Sequence, residues 1–393
     1  MTFSSRSSRS PIMWVAGAAL NGPGYPNARA TIRMLESHLG VQVEEIAHWL
    51  RPDFHLWKLA RGTHVLKVAG LARITWSTAS SLCRLLLQHR AGDWVYVPYP
   101  SAFLLWLLSW LPRRWRPRCV CDAYITLWDS LFQDRGMGVA GGRLSRLLLR
   151  AEIRALGAAT HVIVDTQANA QHIHRLFGVP LERIHAFPLA LDTALLPAGD
   201  GARGTGNNTH VVFIGTFVPL QGTTVIAQAI DKLRGQDSLE FTLIGDGQQA
   251  DEASRWLQDN PAVTWLRGWQ PPGIIAMHLA RADICLGVFG GDGKAARVLP
   301  FKLYMALAAG KAIITQRAYS PPDGCPPIPA ITCDATPEAL AEAISRLAQD
   351  PEKRAQLARQ SHDYFERHLS TTALAACWER LLAGGGKRQP SGG

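Results

Sequence analysis

The chain is short of charge and of long apolar runs. Of its 393 residues, 18% are charged and 47% hydrophobic. That balance excludes a disordered, solvated polymer and requires real cores. No stretch reaches the ~20 consecutive apolar residues that a membrane-spanning helix needs. The N-terminus, MTFSSRSSRSPIMWVAGAAL, sets two arginines before a short apolar run. The run passes into NGPGYPNAR, which reads as the loop after a first strand rather than a cleavage site, so secretion is not expected. Cysteines are few and scattered: seven, at 83, 119, 121, 285, 325, 333 and 377. An odd, dispersed set excludes a disulfide framework, and Cys119-x-Cys121 without a second pair is a poor metal signal. The seven read as reduced thiols in a reducing compartment, most of them small core residues. Asp-x-Asp is absent, so no metal–diphosphate site is expected. Neither half carries G-x-G-x-x-G at a strand-to-helix turn.

Acid is also scarce relative to base. The chain has 31 acidic and 41 basic residues, a net charge of +10. Such a surplus suits a polyanionic partner: a phosphorylated substrate, an anionic membrane surface or nucleic acid. No motif or aromatic platform is arranged for bases, so nucleic acid is not the expected partner.

Short apolar or β-branched runs alternate with longer helical stretches along the whole chain. Strand candidates in the first half are 13–18, 41–46, 94–99, 118–123, 161–166 and 183–189. In the second half they are 210–216, 240–247, 263–269, 282–289, 311–316 and 329–334. Repeated strand–helix–strand units imply α/β parallel sheets with helices on both faces. Between the halves, PAGDGARGTGNNTH has linker composition. The expected division is a disordered N-terminus (1–11), a first Rossmann-like domain (12–196), a linker (197–209) and a second Rossmann-like domain (210–370). A last helix (371–385) crosses back to the first domain, and 386–393 form a disordered tail. Thr336 followed by Pro337 predicts a helix start. Two open sheets that face each other leave a ligand cleft at the carboxyl ends of their strands.

Three glycine turns mark that cleft in the second half: FIGTFVPLQG with Gly215, Thr216 and Gly222, LIGDGQQ with Gly245, and VFGGDGKAARVLPFK. In the last, glycines 290, 291 and 293 precede Lys294, Arg297 and Lys302. A tight turn, a helix N-terminus and three cations together suit a diphosphate, although cations on a solvated loop look the same in sequence.

From 210 to 316 these motifs, with VTWLRGW and KLYMALAAGKAIIT, resemble the family 4 glycosyltransferases. In the first half DAYITLWDSLFQDRG and VIVDTQANAQHIHRLFGVP resemble the same family. The resemblance implies a GT-B fold, two facing Rossmann-like domains, and retaining transfer of a sugar from a nucleoside-diphosphate donor. It implies that the second domain holds the donor, with Gly215, Thr216, Gly222, Gly245, Lys294, Arg297 and Lys302 around it. Many members carry Arg and Lys in the first loop, where Thr216 and Gln221 stand here, and a Glu-x7-Glu pair where Arg297 and Met305 stand. The three cations would then carry the phosphate charge without a metal, while the thioether of Met305 offers the ribose no strong acceptor. An impaired, scaffold-like glycosyltransferase and a GT-B transferase of other stereochemistry are the alternatives.

In the first half, Gly22, Gly24 and Arg29 could approach the transferred sugar, and Asp129, then Asp122, could orient an acceptor; capping or salt bridges would use the same residues. His172 and His174 point about 200° apart on a helix and read as surface residues. SAFLLWLLSWLPRRWRPR, with a nine-residue run at 103–111, three tryptophans and four arginines, suits a membrane interface. Arg143, Arg146, Arg150 and Arg154 share about 80° of helical arc. If 103–118 and 143–154 touch anionic lipid rather than cap a core, the expected acceptor is lipid-linked or an oligosaccharide, at the cytoplasmic face of the membrane.

Overall fold

The computed structural model describes residues 12–17, 26–46, 64–134, 139, 141–194, 196 and 208–384. Gly22, Gly24, the terminal segments 1–11 and 386–393, and most of the expected linker lie outside these residues.

The first sheet holds β1 (Ile12–Val15), β2 (Gln42–Glu45), β3 (Trp94–Val97), β4 (Arg118–Asp122), β5 (His161–Val164) and β6 (Ile184–Ala186). Its order is β2-β1-β3-β4-β5-β6, every neighbouring pair parallel. The helices around it are α1 (Pro26–Leu39), α2 (His64–Gln88), α3 (Ala102–Leu108), α4 (Arg143–Leu156) and α5 (Gln167–Phe177). β1 (IMWV) and β3 (WVYV) are buried at every position, as strands covered by helices on both faces must be. β2, at the edge, is QVEE and stays partly exposed.

The second sheet holds β7 (Thr209–Ile214), β8 (Leu239–Ile244), β9 (Val263–Leu266), β10 (Ile284–Leu286), β11 (Ala312–Gln316) and β12 (Ile331–Cys333). Its order, β12-β11-β10-β7-β8-β9, is also wholly parallel. Its helices are α6 (Thr223–Lys232), α7 (Ala250–Leu257), α8 (Pro272–Arg281), the single turn α9 (Lys294–Arg297), α10 (Phe301–Ala308), α11 (Pro337–Ala348) and α12 (Pro351–Tyr364). Thr336 caps α11 by accepting from the Ala339 amide, with Pro337 at the first position. The α/β alternation read from the sequence is therefore realised as two parallel six-stranded sheets.

The last helix, α13 (Thr371–Gly384), packs against α1. It buries Leu374, Trp378 and Leu381 in the same cluster as Met13, Val15 and Tyr96 of the first sheet. Trp378 meets Tyr96 edge-on, with ring centroids 5.3 Å apart. The last described helix thus packs on the first domain.

Strand order reverses between β1 and β3 in the first sheet and between β7 and β10 in the second. At such a reversal neighbouring connections leave to opposite faces, and a crevice opens at the carboxyl ends of the strands.

Candidate active site

The glycine turns leave the carboxyl ends of β7, β8 and β10 and pack backbone to backbone. Gly222 has φ +66°, and a Cβ there would lie 2.1 Å from the Phe289 carbonyl oxygen. Gly245 has φ +130°, and its Cβ would lie 1.8 Å from the Gly215 carbonyl oxygen. Glycine is required at both positions because one turn closes on the next.

The neutral first loop is tied by Gln221. Its Oε1 accepts from the Thr216 amide (3.1 Å) and from Lys302 Nζ (3.0 Å), and its Nε2 donates to Thr216 Oγ1 (3.1 Å). Lys302 rises from the first turn of α10 and rests 3.8 Å from the centre of the Phe213 ring. Among the described residues no carboxylate pairs with it, and burial pushes its pKa well below the usual lysine range. An ammonium so held favours an anion beside it.

A cleft of about 640 Å³ opens there. Gly215, Thr216, Gly245, Lys302 and Met305 line one side, and Arg29 and Arg33 of α1 line the other. Arg29 pairs with Glu45, and Arg33 pairs with Asp192 at the cleft wall. Trp269, which the sequence reading absorbed into a strand ending at 269, stands in the loop after β9, lines the cleft and is 54% exposed. The Gly268 turn, φ +79°, was the available signal for it.

Lys294 and Arg297 are elsewhere, which corrects the expectation of three cations on one phosphate. The glycine turn is followed by the single turn α9, then by an extended stretch before α10, so the cations diverge. Lys294 Nζ lies 2.7 Å from Asp134 Oδ2, and both side chains are buried. Arg297 donates to Gln133 Oε1 (2.8 Å), and its guanidinium is 3.9 Å from Asp129 Oδ1. Thr166 Oγ1 donates to the Arg297 carbonyl. These contacts join the two domains.

Asp129 begins a π-helical turn, Asp129–Gln133, and is buried. Burial raises its pKa, but the hydrogen bond from His172 and the charges of Lys294, His172 and Arg297 outweigh burial and hold it low. His172 Nε2 is 3.2 Å from Asp129 Oδ1, so His172 is not the surface residue expected, whereas His174 is exposed. A helix face turned toward a neighbouring loop cannot be told from a solvent face by its angle alone. Asp122 also departs from expectation. It lies inside the fold, takes a hydrogen bond from Tyr96 Oη (2.7 Å), and is pushed by burial up to about 7. It is an internal acceptor and does not face the cleft. Among the described residues no three His, Cys, Asp or Glu side chains are grouped to hold a metal.

Residues 23–190 match the family described as glycosyl transferase 4-like domain, and residues 208–350 match glycosyl transferases group 1. No curated protein sequence matches the chain. Among solved structures, sucrose-phosphate synthase from Thermosynechococcus elongatus is similar at 16% identity and TM-score 0.68, covering 96% of this chain and 99% of its own. Anabaena HepE in complex with UDP is similar at 13% identity and TM-score 0.63, covering 95% and 100%. HepE is also solved with UDP-glucose. The lipopolysaccharide outer core galactosyltransferase WaaB is similar at 11% identity and TM-score 0.59, covering 95% and 99%. These identities carry the fold alone. With both halves matched and the architecture shared end to end, the chain belongs to the group 1 and family-4-like glycosyltransferases of GT-B fold.

Proposed function

We propose that the cleft binds a nucleoside-diphosphate sugar and that the chain transfers the sugar, with retention and without a metal, to a lipid-linked or oligosaccharide acceptor in cell-surface glycan synthesis. The reaction would run at the cytoplasmic face of the membrane. The observation that carries this is Lys302: an ammonium with no carboxylate partner among the described residues, half-buried where two glycine turns meet. Charge that develops on a departing diphosphate is stabilised most by a cation already fixed in place. Arg29 and Arg33 of the other domain line the facing wall, each paired with a carboxylate. The departing phosphate can itself take the acceptor's proton, so a strong protein base is not required. HepE's complexes with UDP and UDP-glucose support this donor class.

Titration of UDP and GDP against the protein, followed by melting temperature, tests the proposal. A bound ligand at ~100 times its Kd stabilises by about 2.7 kcal/mol. A response to one of them that Lys302→Ala abolishes is the expected result. Absence of response to every nucleoside diphosphate favours the scaffold alternative.

A further inference from the structure

From Ser101 to Leu156 the chain has nine arginines, no lysine or histidine, and four carboxylates. The carboxylates, Asp122, Asp129, Asp134 and Glu152, are all buried. Arg113, Arg114, Arg143, Arg146, Arg150 and Arg154 are all exposed. Beside them stand large apolar side chains turned to solvent: Leu144 is 72% exposed, Leu147 64%, Trp110 62% and Trp115 61%.

α4 buries Ala155 and Leu156 in the core but leaves Leu144 and Leu147 in solvent and turns two polar residues inward. Ser145 and Glu152 face inward because partners wait there. Ser145 Oγ accepts from Trp128 Nε1 (2.8 Å), and the Glu152 carboxylate accepts from the amides of Leu127 and Trp128 (2.6 and 2.9 Å). Leu147 is left outside with the arginines, all within about 100° of arc. The two halves of the surface are continuous. α3 packs on α4, the Arg154 guanidinium stacks on Trp110 at 3.9 Å, and its Nε donates to Ser109 Oγ.

We propose that this face docks on the anionic surface of a lipid bilayer. Trp110, Trp115, Leu144 and Leu147 enter at headgroup depth, and the arginines meet lipid phosphates. Charge complementarity selects the occupant. Every exposed ionisable group described on the segment is a guanidinium, and the apolar groups between them are the kinds that favour an interface. A nucleic acid would use the arginines and leave the leucines in water. No described helix is long and apolar enough to cross a membrane, so the contact is peripheral. The purpose of the surface rests on the proposed lipid-linked acceptor.

Flotation of the full chain with phosphatidylcholine vesicles, with and without 30% phosphatidylglycerol, tests the docking. Partition into anionic vesicles only, weakened at high salt, is expected. With ~1 kcal/mol acting on each charge near such a surface, Arg146→Glu with Arg150→Glu, a change of four charges, lowers partition about a thousandfold. Leu144→Gln with Leu147→Gln lowers it about tenfold. Equal partition into both vesicles, no partition, retention on heparin or oligonucleotide alone, or indifference to both variants overturns the proposal. A UDP-dependent rise in melting temperature without flotation removes the docking and keeps the transferase; flotation without any nucleotide response does the opposite.

Discussion

Lys294 offers the sharpest test of how the two domains are joined. At 2.7 Å its gross attraction to Asp134 is about 6 kcal/mol at an effective dielectric near 20. Desolvation of both groups offsets most of that gain. Removal of one partner is different. Lys294→Ala leaves the Asp134 carboxylate buried and unpaired, and its Oδ1 already has no hydrogen-bond partner. The expected loss is 3–5 kcal/mol by analogy with other broken buried pairs, or roughly 10 °C in Tm for a cooperative unit of one domain. Replacement of both groups by apolar side chains, Lys294→Met with Asp134→Leu, removes the stranded charge and recovers most of the loss. Thermal denaturation of the wild type, the single variants and the double variant closes the cycle. UDP affinity of Lys294→Ala, measured by calorimetry, should stay within about threefold, since a group outside the cleft gives up no charge-assisted contact with the ligand. A single variant that costs under 1 kcal/mol and weakens UDP more than about thirtyfold would put Lys294 on the phosphate and refute the clamp.

Lys302→Met should weaken UDP by roughly 10- to 100-fold, the worth of a charge-assisted hydrogen bond. Because burial lowers the Lys302 pKa, UDP affinity should fall as pH rises through it, and Lys302→Met should remove that fall; a pH profile of Kd that Lys302→Met leaves unchanged counts against Lys302 as the phosphate partner. Asp122, raised by burial to about 7, contributes stability that is fully present below its unfolded pKa and is lost as pH rises through about 7. Asp122→Asn should therefore gain on the wild type by a few kcal/mol between pH 4 and 8, seen as converging or crossing Tm curves, and parallel curves would contradict the raised pKa. Gly222→Ala should drop Tm by more than about 10 °C or abolish folding, because a Cβ there meets the Phe289 carbonyl, while Gly273→Ala, which meets nothing within 4 Å, should stay within about 2 °C.

The architecture was legible because parallel strands covered on both faces must be apolar at nearly every position. Runs such as WVYV and HVVFI say so without tertiary information. The glycine turns were legible as turns, but not their reason: Gly222 and Gly245 are required where one turn closes on another, a contact between residues far apart in sequence. The three cations were misplaced together. Their common place after one glycine turn grouped Lys294, Arg297 and Lys302, whereas an extended stretch between α9 and α10 sends the first two to the other domain. Asp134 and Gln133 lie 160 and 164 residues from their partners, a separation that no local pattern reports. His172 escaped for the same reason.

Met305 and Lys302 have to be considered as a pair. They are three residues apart on α10, so they share a face, and both line the cleft. A carboxylate at 305 would lie within reach of the Lys302 ammonium and would pair with it. Pairing would satisfy the cation that the diphosphate should find free. A thioether at this position keeps Lys302 available, which makes Met305 a counterpart of the lysine on α10 and of the neutral Thr216–Gln221 loop rather than a sign of lost function. Met305→Glu decides the matter. If the methionine keeps the cation free, the variant weakens UDP by about tenfold, since a half-buried ion pair worth about 1 to 2 kcal/mol must be broken before phosphate is bound. The loss should be absent in the Lys302→Met background. If the methionine is instead a missing ribose partner, the same variant tightens UDP, because a carboxylate accepts from both ribose hydroxyls. The sign of the change in Kd, read by calorimetry, separates a cleft rebuilt around one lysine from a cleft that has stopped holding its nucleotide.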